Sequence, residues 1–237
     1  MKKTLLAFKP FLAEISHDFM LIACISGPVL MGVAFRFGIP QLEILLCNYF
    51  NVSAILSPYY VLLDLLLSIM TPILFCFAGV LVILEEIDCG MARYYGVTPV
   101  GKSGYLASRI SFPSLLALVY NMILLNIFSL SKISLLFGIL LSISGTLLAI
   151  ITALFVVAFA HNKIEGMALV KLCGLLIVGV PASYFILEPI RYLFGILPSF
   201  WMAEFSATSN YWYFFVTVIL CEFYIAVLYG KFKKKLL

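Results

Sequence analysis

Six stretches of the chain are predominantly apolar: about 20–37, 60–84, 106–130, 134–160, 168–187 and 211–229. Each is near the ~20 residues a helix needs to cross the hydrocarbon core of a bilayer. A helix that is hydrophobic on every face belongs inside protein or lipid. The pattern predicts an all-α polytopic membrane protein, with six transmembrane helices in a single transmembrane domain over residues 1–237. Pro72 and Pro181 fall inside the second and fifth stretches and predict kinks there.

The polar punctuation differs at the ends and between spans. Leu5, Phe8, Leu12, Ile15 and Phe19 recur at helical spacing, with Lys2, Lys3 and Lys9 among them. This predicts an interfacial helix over 1–18, lying on an anionic leaflet. A plain cytosolic extension of the first span is the other reading. Lys9-Pro10 breaks the apolar run and no small-residue cleavage site follows, which argues against a signal peptide. The connectors 38–59 and 188–210 are long and still apolar. They are expected to pack as short helices at the outer rim, because bare irregular backbone cannot face lipid. Tyr59, Tyr60, Trp201, Tyr211, Trp212 and Tyr213 fit an aromatic belt at that side. In the fourth span Gly145, Ala149 and Ala153 form one row of small residues, with Gly138, Ser142 and Thr146 beside it. Such rows let helices approach closely. Packing within one chain is the simpler reading, a subunit interface the alternative.

Composition agrees. The chain is 64% hydrophobic and 11% charged, against about 45–50% and 25% in soluble domains. Its mean hydropathy is +1.16. This leaves no room for a separate soluble catalytic domain. Charge placement gives orientation. Lys2, Lys3, Lys9, Arg93, Lys102, Arg109, Lys163, Lys171, Lys231, Lys233, Lys234 and Lys235 fall on one side of a six-span topology, against Arg36, Lys132 and Arg191 on the other. By the positive-inside rule both termini are cytoplasmic, in a multi-pass cell membrane protein. The six cysteines have no CxxC or Cys/His ligand spacing. They predict neither disulfides nor a metal site.

Gly96-Val97-Thr98-Pro99-Val100-Gly101-Lys102-Ser103 matches the phosphate-loop pattern GxxxxGK[ST]. The context does not fit it. A working phosphate loop follows a buried strand and opens a helix, so that N–H groups and the helix dipole meet the phosphates. Here a membrane span precedes, no strand is available, and Pro99 removes one of the donors. The chain is therefore expected to bind no nucleotide and no other cofactor. No nucleic-acid partner is implied either.

The loop holding that match is nevertheless the most polar stretch of the chain. Acids lead (Glu85, Glu86, Asp88) and bases follow (Arg93, Lys102, Arg109). A short helix over 85–95 would place its acids near the positive end of its dipole and Arg93 near the other. Gly96 would stop it, and Thr98-Pro99 would force an extended turn. The same residues read equally as a docking helix or as a solvated loop that sets topology.

Glu85, Gly90, Thr98, Pro99, Lys102, Tyr105, Leu106 and Arg109, in that order, resemble the first cytoplasmic loop of type-2 ABC exporter permeases. The wider layout is similar too: an interfacial helix, six spans, a short second cytoplasmic loop and a basic tail. Many such permeases carry Glu-Arg where this chain has Glu85-Glu86. The resemblance implies that the loop is a cytoplasmic coupling helix, engaging a separate ABC ATP-binding subunit that carries ATP and magnesium. It implies a second permease subunit, the same chain or a related one, sharing one translocation path. Glu85, Glu86, Asp88, Gly90, Arg93, Thr98, Pro99, Lys102 and Arg109 would then form the coupling surface, with 161–166 as a smaller contact. The implied function is export, of a drug, an antimicrobial peptide or a lipid, with no catalysis by this chain.

Acids within spans mark functional positions by default, since burying them unpaired is costly. Asp64 lies near the outer end of the second span. Glu222 lies deep in the sixth, where Arg109 or Lys171 could pair with it. Both are candidates for the path. Asn121 is a third, though interhelical hydrogen bonding suits it as well. An ion-coupled carrier would want an inverted repeat and several midplane acids, and neither is visible. A non-transporting scaffold is compatible with the composition.

Overall fold

The computed structural model describes the backbone of residues 19–90, 107–131 and 133–235. The expected interfacial helix at 1–18, the phosphate-loop match at 96–103, and Arg93, Thr98, Pro99 and Lys102 lie outside the described residues.

Nine α-helices account for most of what is described, and no strand occurs among these residues. They are α1 (Phe19–Val33), α2 (Ile39–Phe50), α3 (Tyr60–Asp88), α4 (Phe112–Phe128), α5 (Leu135–Phe159), α6 (Lys163–Cys173), α7 (Gly179–Phe185), α8 (Pro198–Thr208) and α9 (Tyr211–Lys235). Six helical stretches are long and apolar enough to cross a membrane: Ile22–Phe50, Ser57–Asp88, Arg109–Phe128, Leu135–Phe159, Lys163–Phe185 and Tyr211–Phe232. The all-α, six-span, multi-pass reading of the sequence holds.

Three boundaries differ from expectation. The first span does not stop at Phe37. A π-helical segment, Ala34–Gly38, carries α1 straight into α2, so part of the expected connector continues the span. Pro40 has no N–H to give the preceding turn. It is tolerated because it sits at the start of α2, directly after the widened π turn. The fifth span is not one regular helix either. A 3-10 stretch, Gly174–Ile177, joins α6 to α7, and Pro181 sits within α7. The third difference is α8. It was expected at the outer rim, yet Phe200, Met202, Ala203, Glu204, Phe205 and Ser206 are all buried. It enters the bundle between α7 and α9 and touches α3 and α5. Its close approach to α7 requires a glycine. A Cβ on Gly179 would lie 2.4 Å from Ser199 Oγ and 2.6 Å from Phe200 N.

The central pair is α3 and α5. The remaining helices pack around it: α1 and α4 against α3, α9 against α5, and α6 against both. The small row on α5 makes this contact possible. A Cβ on Gly145 would fall 2.3 Å from the Ser68 carbonyl oxygen and 3.4 Å from Pro72. Ser142, Thr146, Ala149 and Ala153 are buried beside it. The row therefore serves packing within the chain. Its cost is small, because apolar side chains lose little by leaving lipid for protein.

Candidate coupling site

One end of the bundle carries the end of α3, the start of the third span, and the turn before α6. α3 runs unbroken through Glu85, Glu86 and Asp88. The three acids are thus the last turn of the second span and not the first turn of a separate short helix, as the dipole argument expected. At a helix C-terminus acids face the negative end of the dipole and need cations supplied from elsewhere. The fold supplies them from two other spans.

Glu86 is buried and pairs with Arg109, which is also buried, at the start of the third span. Arg109 Nη2 donates to Glu86 Oε1, and Arg109 Nε donates to Oε2 at 3.3 Å. Two parallel N–H···O bonds make this a fork-on-fork pair, the geometry for which a guanidinium is suited. It ties the end of α3 to the start of the third span. Beside it, Lys163 Nζ donates to Glu85 Oε2 at 2.8 Å, and the Lys163 backbone N–H donates to Asp88 Oδ2 at 3.0 Å.

Local sequence builds each partner. The second turn is fixed by Asn162, whose side chain caps α6 by accepting from Glu165 N at 2.8 Å. Glu165 Oε2 in turn accepts from His161 N at 2.8 Å. This is close to the reciprocal capping box of helix N-termini. Gly166 then lets α6 approach α3, since a Cβ there would lie 2.1 Å from Leu84 Cδ1. Gly79 lets the start of the third span lie against α3, with the Arg109 carbonyl oxygen 3.1 Å from its would-be Cβ. The α3 helix ends at Gly90, at φ +72°, with its N–H on the Ile87 carbonyl at 3.0 Å. Glycine adopts that left-handed conformation without a side-chain penalty.

The structure thus brings Glu85, Glu86, Asp88, Gly90 and Arg109 to one end, as the sequence suggested. It adds the pairing of Lys163, which the sequence offered as a topogenic cation and as part of the smaller 161–166 contact. The available signal was the Asn162-x-x-Glu165 cap, which places Lys163 in the first turn of a helix.

The path candidates are scattered. Asp64 is buried, and its carboxylate accepts Leu130 N and Ser131 N, each at 2.8 Å, as well as the Ser131 hydroxyl. It holds the turn between α4 and α5 at the opposite end of the bundle. Arg36 donates to the Ser129 carbonyl in the same turn at 2.8 Å. Asn121 is buried and donates from Nδ2 to the Ser68 carbonyl at 3.0 Å, bonding α4 to α3. Its Oδ1 has no hydrogen-bond partner among the described residues. Glu222 is exposed on α9. The pairing with Arg109 that the sequence left open does not form, because Arg109 lies on Glu86.

A polar cluster at the opposite end was not anticipated. Glu204, buried on α8, accepts from Ser183 Oγ at 2.9 Å and lies 3.5 Å from Arg191 Nη1. Arg191 also pairs with Glu188. The Tyr192 hydroxyl, 3.3 Å away, helps hold the guanidinium pKa above its usual range, and so do Glu204 and Glu188. The only sequence signal was three charges within a connector taken for rim.

No solved structure matches the chain. Two curated relatives do, both named as fluoroquinolones export permease proteins of Mycobacterium tuberculosis, one from strain CDC 1551 / Oshkosh and one from strain H37Rv. Each is 28% identical over 193 residues, which cover 79% of this chain and 75% of the relative. The family model of Rv2686c-like fluoroquinolones export permease proteins matches residues 11–229. With six apolar spans and that match over nearly its whole length, the chain belongs to the Rv2686c-like family of export permeases and is an integral membrane transport protein.

Proposed function

We propose that this chain is the permease subunit of an ATP-driven ABC exporter in the cell membrane, with both termini cytoplasmic. Two permease subunits would share the path, and separate ATP-binding subunits would drive it. The observation that carries the reading is the three-way clamp at the loop end. The two ends flanking the 89–108 segment are tied together by Glu86 and Arg109, and the end of α3 is tied to α6 by Lys163 through Glu85 and Asp88. A push on this end of the bundle would be shared by the second, third and fifth spans. That is the mechanical requirement for receiving work from outside the chain, because packed elements shift between discrete arrangements and do not stretch. Charge asymmetry supports the cytoplasmic placement of this end.

Within this reading ATP and magnesium sit on the partner, and this chain transmits the motion. The names of the relatives make a fluoroquinolone the first substrate to assay. Such a drug would move along an apolar path between two permeases, with Glu222 on the surface a second subunit could cover. Purification from cells of the source organism, or from cells that co-express a candidate ABC ATP-binding subunit, tests the proposal. The two are expected to co-purify, and substrate is expected to stimulate ATP hydrolysis in the complex. Hydrolysis by the purified permease alone, abolished by Lys102→Ala, would overturn it.

A further inference from the structure

Two membrane spans are interrupted by proline at the same level of the bundle. Pro28 lies inside α1 and Pro72 inside α3, and both are buried. A proline within a helix gives no N–H to the turn before it and crowds that turn's carbonyls, so a helix bends there at lowest cost. The two interruptions lie side by side. A Cβ on Gly27, next to Pro28, would be 3.7 Å from Leu74 Cδ1, two residues past Pro72.

The third span meets both turns with two consecutive residues. Ser68 is four residues before Pro72, so its carbonyl has no regular helical donor. Asn121 Nδ2 donates to that oxygen at 3.0 Å. Neighbouring helices commonly satisfy carbonyls freed by a proline in this way. Asn121 is fully buried, and its Oδ1 has no hydrogen-bond partner among the described residues. An unmet buried acceptor is unfavourable, so the donor is what this position uses. Tyr120 reaches the other helix. Its hydroxyl donates to the Ile25 carbonyl at 2.9 Å, in the turn that Pro28 interrupts. Its ring centroid is 5.7 Å from that of Phe75, in the turn after Pro72. One side chain therefore touches both proline turns.

The ends of the third span are also fixed. Arg109 pairs with Glu86 at one end, and Asp64 and Arg36 hold the turn at the other. Between these ties, residues 120 and 121 stand at the level where the first and second spans are interrupted.

We propose that the third span is a strut that couples the bends of the first and second spans. Tyr120 and Asn121 hold the two proline turns, so that one does not bend without the other. An export permease moves packed helices between discrete arrangements. Glu85, Glu86 and Asp88 end α3, so a bend at Pro72 moves that end relative to Asp64. The strut passes the bend on to α1.

Amide hydrogen exchange on the full-length protein in lipid nanodiscs tests the coupling. Exchange is read by mass spectrometry over peptides spanning 22–34, 66–78 and 163–173, the last a control on α6. Asn121→Leu keeps the side chain's size and removes its donor. It is expected to speed exchange around both Pro72 and Pro28 by about fivefold or more, and to leave α6 unchanged. Tyr120→Phe removes one hydroxyl and is expected to speed exchange at both turns by about threefold or more. Pro72→Ala returns a main-chain N–H to the Ser68 carbonyl. In that background Asn121→Leu is expected to change exchange by less than about twofold, the non-additivity of two groups serving one acceptor.

Faster exchange confined to the turn nearest each substitution would overturn the coupling, and so would faster exchange throughout, α6 included. An Asn121→Leu effect that persists undiminished with Pro72→Ala would overturn the assignment of Asn121 to the missing donor. Should Asn121→Leu fail to insert, Tyr120→Phe carries the test, with exchange unchanged at Pro72 as the outcome that sinks the strut.

Discussion

Glu86 and Arg109 are 23 residues apart in the chain, yet both carboxylate oxygens of one meet the guanidinium of the other in a buried site. The pair joins the two ends of the most polar stretch of the sequence. A buried ion pair adds little net stability over apolar replacements, but removing one side deprives a buried charge of its opposite, at a cost of about 3–5 kcal/mol. Glu86→Ala is therefore expected to destabilise the protein by about that much. Glu86→Leu combined with Arg109→Met should recover most of the loss. Thermal unfolding in detergent measures both. A double variant as unstable as the single one would show that the pair is not acting as an isolated charge couple.

The α3–α5 contact gives a sharper steric prediction. Gly145→Ala puts a methyl carbon where the Ser68 carbonyl oxygen is 2.3 Å away, and backbone cannot rotate aside as a side chain can. Overpacking of this kind costs about 1–3 kcal/mol or more. Gly38→Ala is the matched control, since nothing lies within 4 Å of its would-be Cβ. Expression level and melting temperature should fall for Gly145→Ala and hold for Gly38→Ala.

Asp64 accepts three hydrogen bonds from the Leu130–Ser131 turn. Asn offers one acceptor oxygen and puts an NH2 group against donors. Asp64→Asn is expected to cost about 1–3 kcal/mol, the usual cost of unsatisfied buried polar groups. The damage should be local. Increased protease access at the 129–134 turn, with the loop end of the bundle unchanged, is the expected pattern. Equal exposure at both ends would contradict it.

The sequence disclosed the spans because lipid as solvent imposes length and apolarity on every crossing helix. It disclosed the role of Gly145 because a row of small residues has few uses except close approach. It did not disclose that Glu85, Glu86 and Asp88 end the second span. Local propensity and dipole arguments favour acids at helix starts, and the compensating cations, Arg109 and Lys163, come from distant segments. The burial of α8 was illegible for a similar reason. Phe200, Met202 and Phe205 look like rim residues until Gly179 on another helix makes room for them. Glu85, Glu86, Asp88 and Arg109 stand out in the sequence as one polar group, but their pairing is a property of tertiary structure.

Lys163 separates stability from coupling. Its ion pair with Glu85 is partly exposed, at 28% and 44% relative side-chain accessibility. Such pairs are worth about 0–1 kcal/mol. Lys163→Ala removes the ammonium but keeps the backbone N–H that Asp88 accepts, so the turn should stay in place and the melting temperature should barely move. If the clamp transmits motion from the loop to α6, transport and substrate-stimulated ATP hydrolysis should both fall well beyond that small stability change, by fivefold or more. Lys163→Arg keeps the charge and should retain most of the activity. The comparison is made in one reconstituted complex, with the ATP-binding subunit at fixed stoichiometry. Full stimulated hydrolysis and transport in Lys163→Ala would remove the second-loop contact from the transmission route. The burden would then rest on Glu86 and Arg109 alone.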